Sequence, residues 1–138
     1  MKTNKLISVI VAGSRDFNDY QLLKNVLDHY LSNYDRSNVT IISGTARGAD
    51  RLGEQYARQR GMELSRFPAN WKKYGKSAGF ERNMRMSMFA DVLVAFWDGQ
   101  SRGTKHMIDI MQKAGKQAKV IHFCSQPAQS SEQLVLGF

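Results

Sequence analysis

The chain has 138 residues, a length that suits one domain built around a single hydrophobic core. Hydrophobic residues make up 42% of it, which excludes a disordered composition, and no apolar run is long enough to cross a membrane. The formal net charge of +8 favours partners that carry phosphate. We therefore expect one domain over residues 1–138, with a tail that begins at about residue 124.

The cysteine content and the N-terminus predict the compartment. Cys124 is the only cysteine, so neither an internal disulfide nor a cysteine-based metal site can form, and the three histidines are scattered. Lys2 and Lys5 precede the strand-like run Leu6–Ala12 without a small-residue cleavage site, so we expect no signal peptide. The sequence predicts a cytoplasmic protein with no metal and no cofactor.

The first half of the chain alternates between strand and helix patterns. Leu6–Ala12 is a near-continuous apolar run, typical of a strand covered on both faces. A helix is predicted over Tyr20–Tyr34, capped by Asn18 or Asp19, because leucines and valines recur there at helical spacing. The elements predicted next are the strand Val39–Ser43, the helix Ala49–Arg60 with Gly61 as its C-cap, and the weaker strand Met62–Phe67.

The middle of the chain is predicted to hold a loop and a third helix. Pro68–Ser77 contains aromatic and basic residues and is predicted to be a loop. The helix is predicted over Ala78–Ala90, where Phe80, Met84 and Met88 are spaced by four residues. We expect the two methionines to fill the core and not to form a cofactor site.

The last third repeats the alternation. The predicted elements are the buried strand Asp91–Trp97, the polar turn Asp98–Gly103, the helix Thr104–Lys116, the strand Lys119–Phe123 and the tail Cys124–Phe138. Apolar residues near the end of the tail, Leu134–Leu136, are predicted to add an edge strand or to dock on a partner. The whole pattern predicts an α/β fold of the Rossmann-like type, with three α/β/α layers and a mainly parallel sheet of about five strands.

Three turns that carry glycine together with a hydroxyl or an arginine follow predicted strands: Gly13–Arg15, Ser43–Asp50 and Asp98–Thr104. The carboxyl ends of parallel strands lie at one edge of a sheet, so the three turns should converge there. Glycine allows a close backbone approach, and the free N–H groups of a helix N-terminus attract anions. For Ser43–Asp50 alone, a tight strand-to-helix connection explains the glycines equally well, and both interpretations stay open.

Charge is concentrated beside these turns. Residues 47–85 hold ten lysines and arginines against four carboxylates, or +6 of the total of +8. Such a segment either attracts the phosphates of a nucleotide or a nucleic acid, or forms a solvated face that keeps the protein soluble. Charge alone does not separate these two interpretations.

Several motifs occur in an order that resembles one superfamily: Gly13-Ser14-Arg15-Asp16-Phe17, Ser43–Asp50, Pro68-Ala69-x-Trp71, Ala78-Gly79-x-x-Arg82-Asn83-x-x-Met86 and Gly103-Thr104. The chain resembles the SLOG superfamily, which joins the Smf/DprA DNA-processing proteins to the LOG (Lonely Guy) nucleotide hydrolases. More closely, it resembles the YspA, cpYpsA-related branch, DUF2493. The resemblance covers roughly Leu6 to Phe123 and implies a pocket for a nucleotide or a nucleotide derivative.

The resemblance and the turns together imply a set of ligand-binding residues: Gly13, Ser14, Arg15, Ser43, Gly44, Thr45, Arg47, Gly48, Asp50, Arg82, Asp98, Gly103 and Thr104. The glycines and hydroxyls would contact phosphate, and Arg15 and Arg47 would supply charge. The alternative for both arginines is a surface position or a salt bridge to Asp16 or Asp50. Asp50 would hold a ribose hydroxyl or cap its helix.

Catalysis is less well supported by the resemblance. Arg82 lies where LOG enzymes carry a catalytic arginine, although a surface i,i+3 or i,i+4 ion pair explains it as well. LOG enzymes place a glutamate three residues after their Gly-Thr pair, and that glutamate acts in cleaving the bond between base and ribose. Counted from Gly103-Thr104, this position holds Met107, and the nearest acids are Asp98 and Asp109. A thioether is neither a general acid nor a general base.

The sequence therefore predicts first a binding protein for a nucleotide-derived ligand, which acts as a sensor or a sequestering module. One alternative is a hydrolase of nucleotides or their N-glycosidic bonds that uses Arg82. A second is binding of single-stranded nucleic acid, as in DprA, for which the basic segment and the aromatic Trp71–Tyr74 loop are suited. We expect a homo-oligomer and no contact with a membrane.

Overall fold

The structure is a computed structural model that describes residues 2–124. Five strands form one sheet: β1 Ile7–Gly13, β2 Val39–Ser43, β3 Glu63–Arg66, β4 Val92–Trp97 and β5 Gln117–His122. All of the strand pairs are parallel, and the strand order is β3-β2-β1-β4-β5. The predicted Rossmann-like α/β class is confirmed.

Helices cover both faces of this sheet: α1 Tyr20–Tyr30, α2 Ala49–Arg60, α3 Trp71–Tyr74, α4 Ala78–Phe89 and α5 Arg102–Lys113. Alternate residues of β1 point to opposite faces. Val9 and Val11 pack in one hydrophobic cluster with α1 and α2, while Ile10 and Ala12 pack in another with α4 and α5. The buried strand predicted at the start of the chain is therefore covered on both sides, as its apolar run indicates.

Local chemistry sets the helix ends. The Asp19 carboxylate accepts a hydrogen bond from the Leu22 N–H at 3.0 Å, so Asp19 is the predicted cap of α1. Helix α1 ends at Tyr30, four residues before the predicted end. The turn that follows is held by Thr3, whose N–H donates to the carbonyl oxygen of Asn33 at 2.7 Å. Gly61 ends α2 in the left-handed conformation with φ 69°, as predicted.

The prediction of a loop over Pro68–Ser77 is wrong. This segment contains α3 and a 3₁₀ turn over Gly75–Ser77. The Asn70 side chain accepts a hydrogen bond from the Lys73 N–H at 3.0 Å and caps α3. An asparagine before a short helical turn is an N-cap signal that the basic and aromatic composition of this segment obscures. The predicted strand or docking segment at Leu134–Leu136 lies outside the described residues.

The predicted inward face of α4 is wrong. Phe80, Met84 and Met88 are 46%, 51% and 73% exposed, and the face that packs inward carries Asn83 and Met86. Both faces have residues at helical spacing, so periodicity does not separate them. The buried face contains polar Asn83 and Ser87 because it borders the cavity described below and the end of the helix.

Two methionines on α4 test this assignment. Met86 is 2% exposed and Met88 is 73% exposed. We expect Met86→Ala to lower the free energy of unfolding by about 2–5 kcal/mol because it leaves a cavity in the core. Met88→Ala should change it by less than about 0.5 kcal/mol. Urea unfolding of the two variants measures the difference, and equal losses would contradict the placement of α4.

Within residues 2–124, no helix combines the length and the apolar character needed to span a lipid bilayer.

Candidate functional site

A cavity of about 400 Å³ lies at the carboxyl ends of β1, β2 and β4. The chain leaves β1 toward β2 and β3 on one side and later adds β4 and β5 on the other. The strand order therefore reverses at β1, and open α/β sheets hold their ligands beyond such a point. Nine of the thirteen predicted residues line this cavity: Gly13, Ser14, Arg15, Arg47, Asp50, Arg82, Asp98, Gly103 and Thr104.

The turn after β1 connects two walls of the cavity. Gly13 lies so close to β4 that a Cβ atom there would be 2.2 Å from the Phe96 carbonyl oxygen. The Ser14 N–H donates to that same oxygen at 2.9 Å, and the Ser14 hydroxyl oxygen accepts from the Asp98 N–H at 3.1 Å. Ser14 is buried, and these two hydrogen bonds hold the loop after β4 against the end of β1.

The other four predicted residues, Ser43, Gly44, Thr45 and Gly48, are not among the residues that line the cavity. Ser43 is fully buried; its hydroxyl donates to the Glu54 carboxylate at 2.7 Å and accepts from the Thr45 N–H at 3.0 Å. Thr45 adopts φ 68°, and this Ser43 contact holds its amide in that conformation. Ser43 therefore satisfies a buried carboxylate.

Gly48 is the residue before α2, with φ 83°. A Cβ atom there would lie 2.4 Å from the Ser14 carbonyl oxygen, and the N–H of the next residue, Ala49, donates to that oxygen at 3.4 Å. Glycine at this position allows the first two turns to touch, which closes one end of the cavity.

Gly44 brings together two charged side chains. A Cβ atom on Gly44 would lie 2.7 Å from Nη1 of Arg82 and 2.9 Å from Oδ2 of Asp50. The Arg82 guanidinium donates to the Gly44 carbonyl oxygen. The alternative for Arg82 was a surface ion pair with i,i+3 or i,i+4 spacing. Such a pair joins the neighbouring residue Glu81 to Arg85 instead, at 3.0 Å. Arg82 thus extends from α4 into the turn after β2.

Asp50 has an unusual protonation equilibrium. It is 5% exposed, and burial raises its pKa to about 7, although the Ala46 N–H and the positive charge of Arg82 act in the opposite direction. Burial likewise lowers the pKa of Arg82, against the attraction of Asp50. Asp50 does not cap α2, because its Oδ2 accepts from the Ala46 N–H of the preceding turn at 3.2 Å.

The turn after β4 is organised by Asp98. Its Oδ1 accepts hydrogen bonds from the N–H groups of Gln100 and Ser101, both at 2.9 Å. Burial would raise the pKa of Asp98, but these two hydrogen bonds and the Ser14 hydroxyl outweigh it and hold the pKa below its usual value. Ser101 caps α5 by accepting from the Thr104 N–H at 3.4 Å, and the first turn of α5 faces the cavity.

Arg15 and Arg47 are exposed at the cavity rim. Neither forms an ion pair or a side-chain hydrogen bond with any other residue in the described part of the chain, so the proposed salt bridges to Asp16 and Asp50 are absent from it. Their charges are therefore available to a ligand. Together with Arg82 they bring three guanidinium groups to one cavity from three different elements.

Similarity to known proteins identifies the family. A sequence model of the YspA, cpYpsA-related SLOG family matches residues 7–74. The Gene 61 protein of Mycobacterium phage D29 is 38% identical over 127 residues, which cover 86% of this chain and 98% of the phage protein. The chain belongs to the YspA, cpYpsA-related SLOG family.

Solved structures share this fold at low sequence identity. DNA processing protein A (DprA) of Streptococcus pneumoniae has a TM-score of 0.68 at 14% identity; the match covers 96% of this chain and 57% of DprA, so the chain spans little more than half of that protein. DprA of Helicobacter pylori, studied for its single-stranded DNA binding mode, gives 0.62 at 16% and is covered to 74%. The Moco carrier protein of Chlamydomonas reinhardtii gives 0.53 at 16% and is covered to 85%.

Asn83 is a cavity residue of this SLOG domain to which the sequence assigned no role. It is 4% exposed, and its Oδ1 accepts from Arg82 Nε at 3.0 Å while its Nδ2 donates to the Gly103 carbonyl oxygen at 3.1 Å. It also meets His106 Nδ1 at 3.1 Å. Asn83 therefore holds Arg82 in position relative to the first turn of α5. Asparagine is a weak helix former, so an asparagine inside a predicted helix was the available sequence signal for a special role of Asn83.

Met107 is 1% exposed and lines the floor of the cavity, with Met86 beside it. The position at which LOG enzymes carry a glutamate thus presents a thioether to the cavity of this SLOG protein. Among residues 2–124, no three His, Cys, Asp or Glu side chains are grouped closely enough to hold a metal ion.

Proposed function

We propose that the protein binds a nucleotide or a nucleotide-derived ligand in this cavity and acts as a sensor or a sequestering module. The observation that carries the proposal is the convergence of Arg15, Arg47 and Arg82 on a cavity at the point where the strand order of the sheet reverses. Guanidinium groups bind phosphate oxygens through paired, charge-assisted hydrogen bonds. Asp50 would accept a ribose hydroxyl, and the apolar floor at Met86 and Met107 would contact a base.

Thermal denaturation of the full chain tests this proposal. Nucleotides, dinucleotides and ADP-ribose compounds are added singly, and native mass spectrometry of the purified protein searches for a ligand that it already carries. We expect at least one compound to raise the melting temperature; at about 100 times its Kd, a ligand adds about 2.7 kcal/mol to the stability. A folded protein that carries no ligand and responds to none of these compounds would contradict the proposal.

Hydrolysis of a nucleotide or of its N-glycosidic bond is the alternative function. It is supported by Asp50, since a carboxyl group with a pKa of about 7 suits proton transfer near neutral pH. Asp98 is less suited because it is committed to its own loop. Product formation that disappears in Arg82→Ala, while the ligand still binds, would establish the enzyme.

Single-stranded nucleic acid is a second alternative partner. The support comes from the basic segment 47–85 and from the fold shared with DprA of Helicobacter pylori, a protein described as binding single-stranded DNA. At 16% identity that likeness concerns the fold, so the argument depends on the charges of this chain. Binding that weakens steeply with added salt would support this partner.

A further inference from the structure

A second concave surface lies outside the cavity, along α3 and the adjoining side of α4. We call it the α3–α4 groove; it has a volume of about 820 Å³, roughly twice that of the cavity. Four basic side chains line it, Arg66, Lys72, Lys73 and Arg85, against a single carboxylate, Glu81. Arg66 is also paired with the buried Glu54 at 3.2 Å, so the excess positive charge of the groove comes from the two lysines.

The lysines supply the uncompensated part of this charge. Arg85 is paired with Glu81 at 3.0 Å. Lys72 and Lys73 are exposed, and neither forms an ion pair with a carboxylate of residues 2–124. Exposed, unpaired ammonium groups side by side on a four-residue helix attract a partner with closely spaced negative charges.

Aromatic rings lie among these charges. Trp71 is 56% exposed, and its ring would lie 3.8 Å from a Cβ atom on Gly79, so its inner edge rests on α4 while the rest of it faces solvent. The Lys73 ammonium lies 5.2 Å from the centroid of the Tyr74 ring. The exposed apolar face of the Trp71 ring is therefore available to stack on a partner.

We propose that the α3–α4 groove binds single-stranded nucleic acid, with Lys72 and Lys73 on phosphates and Trp71 stacked on an unpaired base. Charged grooves with exposed aromatic rings bind single strands in this way. A duplex keeps its bases stacked on one another, so they are not available to Trp71. No side chain that lines the groove is buried, so nothing in it is built to read one base, and binding is tolerant of sequence.

This inference rests on the nucleic-acid alternative above and goes further by placing the partner in the groove and not in the cavity. The two surfaces share none of their lining residues. Substitutions in one surface therefore leave the other intact, and the two locations can be separated by experiment.

Fluorescence anisotropy of a labelled single-stranded oligothymidylate, titrated with the full chain at several salt concentrations, tests the groove. We expect Trp71→Ala to weaken binding about 5-fold or more and Trp71→Phe to restore most of the loss, since phenylalanine also stacks. The double variant Lys72→Ala/Lys73→Ala should reduce the slope of log affinity against log salt by about 1.4. The matched control is Lys113→Ala/Lys119→Ala, which removes two exposed lysines at the opposite edge of the sheet and should bind as the unmodified chain does.

If the chain binds the oligothymidylate, four results would overturn the inference. They are unchanged binding by Trp71→Ala, equal affinity for a duplex of the same length, competition by polyglutamate as strong as that by unlabelled oligothymidylate, and loss of binding only in the cavity variant Arg15→Ala/Arg47→Ala. The third would assign the groove to an acidic protein partner. The fourth would move the nucleic acid into the cavity and leave the nucleic-acid function standing, whereas no binding at low salt would remove both.

Discussion

The double variant Arg15→Ala/Arg47→Ala is expected to bind a phosphate-bearing nucleotide about 100-fold or more weakly than the unmodified chain, with an unchanged melting temperature. A hydrogen bond to a charged group contributes about 1.5–3 kcal/mol, so two lost guanidinium contacts amount to this factor. Stability should not change because both side chains are exposed and make no ion pair within residues 2–124. Isothermal titration calorimetry and thermal denaturation measure the two quantities separately.

Arg36→Ala is the matched control for this variant. Arg36 is also exposed, but it precedes β2 and so lies at the amino ends of the strands, away from the cavity. Its removal changes the net charge without touching the proposed site. Arg36→Ala removes one charge and the cavity variant removes two, so a loss of binding free energy half as large in Arg36→Ala would show that only the overall charge of the protein attracts the ligand.

Arg82 should behave differently from the two rim arginines, which makes it unsuitable for the same test. Its guanidinium donates to the Gly44 carbonyl oxygen and to Asn83 Oδ1. Removing it leaves these acceptors unsatisfied as well as removing charge from the cavity. A loss of affinity in Arg82→Ala therefore combines two causes, whereas the loss in the rim variant has one.

Much of the architecture follows from patterns that the sequence displays directly. The run Ile7–Gly13 is apolar except for Ser8 because both faces of β1 are covered, and the spacing of Leu23 and Leu27 gives α1 one buried face. Helices between parallel strands then allow only a few topologies. The convergence of the three glycine turns followed from the same rule, since it needs only the direction of the strands.

The parts that could not be predicted depend on which atoms meet across the sheet. Ser43 ends a strand shortly before a helix, as a ligand-binding serine would, but its hydroxyl donates to the buried Glu54 eleven residues later. Asn83 is directed to the cavity by two partners that are distant in sequence. The orientation of α4 was missed for the same reason: the polar residues that it buries are explained by the cavity and not by helical spacing.

Asp50→Asn is expected to be more stable than the unmodified chain above about pH 7 and nearly equal to it at about pH 4. Asp50 holds its proton more tightly in the folded protein, with a pKa of about 7 against an ordinary value of 3.8. The stability that this proton contributes is complete below the ordinary pKa and is lost as the pH rises through the folded one. Over that range the free energy of unfolding falls by about 4 kcal/mol at most. The amide of Asp50→Asn does not titrate, so the variant does not lose this stability.

Urea unfolding of both proteins across this pH range gives the difference directly, because contributions from all other groups cancel. Asp109→Asn is the control; Asp109 is half exposed in a surface pair with Lys105, so its effect should stay within about 0.5 kcal/mol at every pH. If Asp50→Asn were the less stable protein at alkaline pH, the attraction between Asp50 and Arg82 would outweigh burial, and the raised pKa would be wrong.

The same proton should affect the ligand. As the pH falls through about 7, the cavity loses a negative charge while its three arginines stay charged, so an anion that has no ribose should bind more tightly in acid, and this dependence should disappear in Asp50→Asn. If the Asp50→Asn variant were more stable and also bound the ligand equally well, the carboxyl group of Asp50 would contribute to neither stability nor binding. The test is therefore the ribose: if Asp50 accepts a ribose hydroxyl, Asp50→Asn should lose affinity for a nucleotide but not for pyrophosphate. A carboxylate kept at a cost in stability is then explained by the part of the ligand that it contacts.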